Sequence, residues 1–393
     1  MLVDTSTMTS STHASIGVVR ASADRERRVA LDPDVTVRLT TGGTTVNIEN
    51  GAGVAAGFLD DAYEKAGAHL LPRSDVIAKS DVIAVVRSPD ADLSALFRRG
   101  QLVIGLIDPL NSVDLVHDLA TRGVTVAAFE LLPRTLSRAQ SMDAVSSQAS
   151  ASGYRAGIVA AASFGRYLPM MITASGTARP ASVIVVGTGV AGLQAIGTVK
   201  RLGAVVTGYD VRPASRGEVE SLGALFLTSS IAEGSGAGGY ARAMTAEEAV
   251  KQQDELAEHL TSFDIIITTA KVPGRTPPLL VTAATLAALR PGSVCIDMAA
   301  TDQRGNVAGT VDGTTSTTPN GVVIVGAGNL ASDLATSSSQ MYARNVLALF
   351  TSLTTDGVVT YDPSDDVHSA VVVCHGGVLT NDALKTLIGA PVA

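Results

Sequence analysis

Apolar residues in this 393-residue chain gather in short β-branched runs separated by longer, Ala-rich stretches. The runs are 82–86 (VIAVV), 102–107 (LVIGLI), 124–128 (VTVAA), 183–186 (VIVV), 205–207 (VVT), 265–268 (IIIT), 294–298 (VCIDM) and 322–325 (VVIV). Unbroken apolar runs suit strands buried on both faces, and the helix-length segments between them suit crossovers in a parallel sheet. The pattern predicts an α/β fold made of βαβ units.

Two such series are visible, about 15–130 and 181–335, as expected when a chain exceeds the size of one core. Between them lie a polar patch (SRAQSMDAVSSQAS), a helical run (GYRAGIVAAASFGRYL) and a breaker cluster (ASGTARPAS). This reads as a crossing helix and then a loop feeding the next strand. The helical stretch SSQMYARNVLALFTSL, from Ser338, is placed to return to the first domain. The expected layout is a first α/β domain at 15–140 plus about 346–393, and a second at 141–345. The Ser- and Thr-rich residues 1–14 read as a disordered tail, without the apolar core of a signal peptide.

Composition narrows the function classes. The net charge of −8 disfavours phosphate backbones and anionic membrane surfaces, and the absence of tryptophan disfavours base-stacking platforms. No apolar run approaches the roughly 18–20 residues of a membrane span. The six histidines are scattered, without metal-ligand spacing. Cys295 and Cys374 lie in apolar contexts of a chain that looks cytosolic, so no disulfide is expected.

The sharpest chemical signal is VIVVGTGVAGLQ (183–194). Here Gly187-Thr188-Gly189-Val190-Ala191-Gly192 joins a strand to a helical pattern, the context a G-x-G-x-x-G turn requires. Gly187 permits the tight turn, Gly189 lets backbone approach a pyrophosphate, and Gly192 allows close helix–strand packing. The helix start then offers amides and a positive dipole end to phosphate. The next strand ends in Asp210, 18 residues past Gly192. An acid there accepts hydrogen bonds from ribose hydroxyls and repels a 2′-phosphate, favouring NAD over NADP. Val211 and Arg212 follow; an arginine can also hold a 2′-phosphate, but the acid is weighed more heavily. The bland alternative is a tight turn that binds nothing. Gly326-Ala327-Gly328 looks similar, but the polar NLASDLATSSS after it reads as a loop rather than a packed first turn.

These motifs resemble domain I of the proton-translocating transhydrogenases and, more distantly, the alanine dehydrogenases. The likeness spans nearly the whole chain from about residue 15. It rests on ERRVAL (26–31), SRAQSMDAVSSQ (137–148), GYRA (153–156), VGTGVAGLQAIGTVKRLGA (186–204), DVRP (210–213), ESLGA (220–224), GGYA (238–241), TTAxxPGx (268–275), PGSV (291–294) and SSQMYARN (338–345). The resemblance implies two Rossmann-like domains with parallel sheets, the first discontinuous, a deep cleft between them, and a homodimer. NAD(H) would lie in the cleft on the second domain. It also implies membrane-spanning and NADP(H)-binding partner subunits, which would hold this chain peripherally at the inner membrane.

Residue by residue, PR (133–134) and QSMD (140–143) match the family's contacts to the nicotinamide end. That assigns Arg134, Gln140, Ser141, Met142 and Asp143, with Ser146 nearby. A Gln–Asp pair supplies the donors and acceptors a carboxamide needs, although the same residues suit a plain helix cap. Gly239, Tyr240 and Gln252 match a mobile loop that folds over the nucleotide; a surface linker is the alternative. Lys271 stands where the family usually has leucine, and TDQRGN (301–306) carries an apparent extra residue.

Two other readings stay open. A free-standing amino-acid dehydrogenase of this fold needs an arginine, a lysine and a histidine in the first domain. Arg28 fits the first, Arg87 stands at the second, and LVIGLIDP (102–109) holds no histidine, so the general base is missing. Arg28 then reads as a structural ion-pair or hinge residue. The third reading is a non-catalytic nucleotide-binding protein.

Overall fold

A computed structural model describes residues 13–228, 245–271 and 274–389. Two compact units divide it. One comprises the described parts of Met1–Val145 and Ala335–Ala393, the other the described part of Ser146–Leu334.

The first unit is built on an eight-stranded sheet. Its order is Val378–Leu379, Val372–His375, Thr125–Ala128, Leu102–Gly105, Val82–Ala84, Ile16–Val18, Val46–Glu49 and His69–Leu71. The last six are mutually parallel, and the two strands from the C-terminal segment run antiparallel. Alternate side chains of a strand face opposite ways, and here both sets are buried. Val82, Ala84, Leu102 and Ile104 join one core, and Ile83, Val85, Val103 and Val126 join the other. Covering a sheet on both faces is what makes its central strands predominantly apolar.

The helix Ala335–Ser352 ties the first core together. Its Ser339 hydroxyl accepts the Val29 amide at 3.0 Å. Tyr342 Oη donates to Val85 O at 2.6 Å and accepts from the Leu106 amide at 3.2 Å. The expected tail covers residues 1–14; of these, 1–12 lie outside the described residues, while Ala14 is already buried and donates to Gly357 O.

The second unit holds a seven-stranded sheet in the order Leu225–Thr228, Val205–Asp210, Ser182–Val186, Ile265–Thr268, Val294–Asp297, Val323–Gly326 and Thr315–Thr317. The first six are parallel and the last antiparallel. Counted along the chain, the parallel strands stand 3-2-1-4-5-6, the doubly wound order whose switch point lies between Ser182–Val186 and Ile265–Thr268. Val183, Val185, Ile265 and Ile267 fill one face, and Ile184, Val186, Ile266 and Cys295 the other.

The predicted crossing helix runs Ala144–Ser163. The breaker cluster after it is more ordered than expected: Met171–Thr173 pairs antiparallel with Gly176–Ala178 in a separate hairpin. Gly176, at φ 129°, makes its turn possible. The loop expected after Gly328 also differs. Leu330–Asp333 is a short helix, and Leu330, Ala331 and Ser332 are buried in spite of their polar surroundings. Both cysteines are free and buried, one in each unit. Among the described residues no helix is long and apolar enough to cross a membrane, and no cluster of ligating side chains could hold a metal.

Candidate functional site

At the carboxyl end of Ser182–Val186 the chain turns at Gly187, whose φ of 93° is open to glycine but costly for other residues. Its amide donates to Tyr209 O at 2.8 Å, which fastens the turn to the neighbouring strand. Helix Val190–Arg201 then begins with Gly189 as its cap, and no side chain caps it. Gly189 and Val190 are exposed, and a Cβ built on Gly189 would meet nothing within 4 Å. Gly192 is the reverse: a Cβ there would collide with Gly187 O. The three glycines thus meet three demands: a left-handed turn, open space before bare helix amides, and close contact between helix and turn. This fits a diphosphate, which needs backbone donors and room in front of them.

Asp210 ends the adjacent strand and is 8% exposed. Its carboxylate is fully subscribed. Oδ2 accepts from the Thr188 amide at 2.8 Å, the Thr188 hydroxyl at 3.0 Å and Arg212 Nη2 at 2.9 Å. Oδ1 accepts from the Arg212 amide at 2.9 Å and Arg212 Nε at 3.0 Å. Burial works to raise the Asp210 pKa, but the Arg212 guanidinium and the backbone donors outweigh it and hold the group below the usual carboxylate range. Asp210 is therefore an anion. Such an oxygen set has about four lone-pair positions. A sugar hydroxyl joining it must take over a place, and the Arg212 side chain, 20% exposed, is the donor able to leave.

Across the switch point, the Thr269 hydroxyl donates to Gly187 O at 2.8 Å and its amide to Val186 O at 2.9 Å. Ala270 follows, then exposed Lys271. This loop is pinned by Asn306, which is fully buried. Its Oδ1 accepts from the Ala270 amide at 3.0 Å, and its Nδ2 donates to Ala270 O at 3.0 Å and Pro278 O at 2.7 Å. Beside it, buried Asp297 accepts from the Val307 amide at 2.9 Å and the Ala299 amide at 3.0 Å, and burial raises its pKa. Gly305 fits because a Cβ would overlap the Asp297 carboxylate. The sequence marks 301–306 as a departure and Thr269 as part of a family motif, and its spacing assigns no role to Asp297 or Asn306. The available signal was an acid closing an apolar strand, IDM, shortly before a Gly-Asn pair.

Gln252 lies elsewhere in this unit. On helix Ala246–Leu260 it is buried and donates to Tyr209 Oη at 3.3 Å. Val211 packs with the same cluster as Tyr209. Gly239 and Tyr240 lie outside the described residues. Ser146 sits in the first turn of Ala144–Ser163.

In the first unit, Gln140, Ser141 and Met142 share the 3-10 turn Ser137–Met142, which Asp143 caps by donating to Gln140 O at 3.3 Å. Gln140 and Ser141 are exposed, Met142 is buried, and Arg134 and Asp143 are half-buried. Asn345 Nδ2 donates to Ser141 O at 2.9 Å, and Arg138 pairs with Asp365 at 2.9 Å. The first of these contacts ties SRAQSMD to SSQMYARN, and the second ties it to the start of helix Asp366–Val371.

Arg28 is committed to its neighbour. Its Nε and Nη2 reach Glu26 at 2.7 Å each, and the two side chains are 4% and 0% exposed. Burial opposes ionisation of Glu26, but Arg28 and then Arg87 outweigh it and lower its pKa. The Ile107 and Asp108 amides in LIDP donate to Glu130 at 3.3 and 2.8 Å.

Comparisons agree with this architecture. The family model described as alanine dehydrogenase/PNT, N-terminal domain, matches residues 17–152, and the corresponding C-terminal domain matches 156–382. The chain is 40% identical over 371 residues to an NAD(P) transhydrogenase subunit alpha of Cereibacter sphaeroides, covering 93% of this chain and 71% of that one. It is 41% identical over 345 residues to the first portion of an NAD(P) transhydrogenase subunit alpha from Rhodospirillum rubrum, covering 86% and 89%. The crystal structure of a transhydrogenase from Sinorhizobium meliloti superposes with a TM-score of 0.80 at 38% identity, covering 94% of this chain and 99% of that one. With both domain models matched in order along nearly its whole length, the chain belongs to the alanine dehydrogenase/PNT family.

Proposed function

We propose that the chain is the NAD(H)-binding component of a proton-translocating NAD(P) transhydrogenase. The carrying observation is the glycine turn and ionised Asp210 at the switch point of a doubly wound sheet. Similarity to transhydrogenase alpha subunits supports the same reading. The coenzyme is NAD(H): Gly189 and Val190 offer backbone at the helix start to its diphosphate, Gly187 and Thr188 shape the turn and anchor Asp210, and Asp210 takes the ribose hydroxyls. Val211 and Arg212 flank the sugar. Lys271 borders the nucleotide, and buried Gln252 supports the strand that ends in Asp210 through Tyr209.

Arg134, Gln140, Ser141, Met142, Asp143 and Ser146 orient the nicotinamide end. Bound NADH supplies a hydride, and the acceptor is NADP⁺ on a partner subunit. Hydride passing between two nicotinamide rings needs no protein acid or base, so this chain contributes placement and exclusion of water. Two observations favour that division of labour over amino-acid oxidation. Arg28 is locked in a buried pair with Glu26, and no histidine stands in the LIDP segment. Proton translocation belongs to membrane-spanning partners, through which the chain associates with the inner membrane.

A homodimer completes the reading. On and beside the hairpin, Tyr167, Met170 and Ile172 are 62%, 57% and 76% exposed, an apolar arm that water alone stabilises poorly.

The test mixes the purified chain with the NADP-binding and membrane subunits and follows NADH-dependent reduction of NADP⁺. Transfer that requires all the components supports the proposal. Rapid oxidation of alanine by the isolated chain overturns it.

A further inference from the structure

The first unit carries a cavity of about 300 Å³ at the amino ends of its strands, away from the carboxyl ends where ligands of open α/β sheets gather. Leu102–Gly105 and Thr125–Ala128 both start there, behind left-handed Gly100 (φ 84°) and Gly123 (φ 75°). Leu102, Leu353, Val359 and Val372 supply apolar lining.

Two features give the cavity chemistry. The first is an aromatic wall: the His375 and Tyr361 rings lie 4.9 Å apart at 49°, and His375 Nδ1 is 2.9 Å from the Thr125 hydroxyl, which fixes the imidazole. The second is Arg99. Its guanidinium packs over Gly123, where a Cβ would come within 2.9 Å of Nη1, and it makes no ion pair among the described residues.

We propose that this cavity binds a small organic carboxylate with a flat or short apolar body, of about the size of benzoate. A guanidinium recognises a carboxylate by paired hydrogen bonds. The Tyr361–His375 wall suits a flat body. The volume stands at the small end of ligand pockets, too small for a dinucleotide. The net charge of −8 disfavours polyanions more than monoanions. The site is independent of the coenzyme assignment.

The experiment titrates the full chain with sodium benzoate and follows the histidine ring protons by NMR. There are six histidines, and His375→Gln identifies the relevant resonance. The expected result is a saturable shift of that resonance with a Kd of roughly millimolar, as suits so small a ligand. Arg99→Gln, an exposed substitution, weakens binding at least about tenfold and leaves NADH binding unchanged, and neutral benzyl alcohol binds at least about tenfold more weakly than benzoate. No saturable His375 shift at tens of millimolar, or equal affinity in Arg99→Gln or for benzyl alcohol, overturns the proposal.

Discussion

Replacing Asp210 by Asn probes the centre of the functional reading. The carboxylate takes two hydrogen bonds from Thr188 and three from Arg212. An amide keeps the shape, removes the charge, and turns an NH₂ toward groups that are themselves donors. Breaking a buried ion pair costs about 3–5 kcal/mol, and the partial exposure of the Arg212 side chain lets it turn to water. The expected loss of stability is therefore roughly 2–3 kcal/mol. The nucleotide feels a separate effect. One hydrogen bond from a ribose hydroxyl to a charged acceptor contributes about 1.5–3 kcal/mol, so the Kd for NADH should rise roughly 10- to 150-fold. The discrimination against NADPH should fall at the same time. The anion that repels a 2′-phosphate is gone, and Arg212 is released to receive one. Nucleotide fluorescence reads both constants directly, because the chain contains no tryptophan. An Asp210→Asn protein that melts cooperatively yet keeps the wild-type NADH Kd and the wild-type NADH/NADPH ratio would refute the argument.

Three further outcomes are expected. Gly192→Ala forces a methyl against Gly187 O, so the melting temperature should drop by roughly 2–12 °C and NADH binding should weaken; calorimetry with a fluorescence titration checks both. Burial lifts the Glu130 pKa to about 7 against the amides of Asp108 and Ile107. In that window the folded chain binds more protons than the unfolded one, so this group's contribution is complete below about pH 4.5 and is lost as pH rises through 7, on the order of 3 kcal/mol. Urea unfolding from pH 5 to 8 should therefore show a smaller decline for Glu130→Gln than for wild type, and superimposable profiles would exclude the effect. Burial pushes both the Cys295 and the Cys374 thiol up to about 12, so a disulfide-exchange reagent at pH 8 should label neither in the native protein and both in urea.

Local sequence was sufficient for the strands that lie at the middle of each sheet. VIVV, IIIT, VCID and LVIG are buried on both faces, so all positions but the terminal Thr268 and Asp297 are apolar or glycine and the run announces itself. The glycine turn was equally legible, because left-handed geometry and contact with a backbone oxygen are demands only glycine meets. Asp210 could be placed by spacing alone. Other elements were silent for physical reasons. Strand His69–Leu71 is an edge of three residues, and Val46–Glu49 ends in an acid whose partner is Arg73, far along the chain. Hairpin Met171–Thr173/Gly176–Ala178 is exposed and leaves no apolar alternation.

Only tertiary structure decided what the polar groups do. Arg28 became half of a buried pair because a desolvated guanidinium needs a carboxylate, and Glu26 stands two residues away. Asn306 became the pin of the Thr269–Lys271 loop because strands remote in sequence end side by side. Asp210 proved saturated by Thr188 and Arg212, which its spacing could not reveal. The chain's apolar periodicity determines which segments are buried, since burial acts on each residue by itself. Which donor meets which acceptor depends on contacts between segments, and those exist only once the sheets have formed.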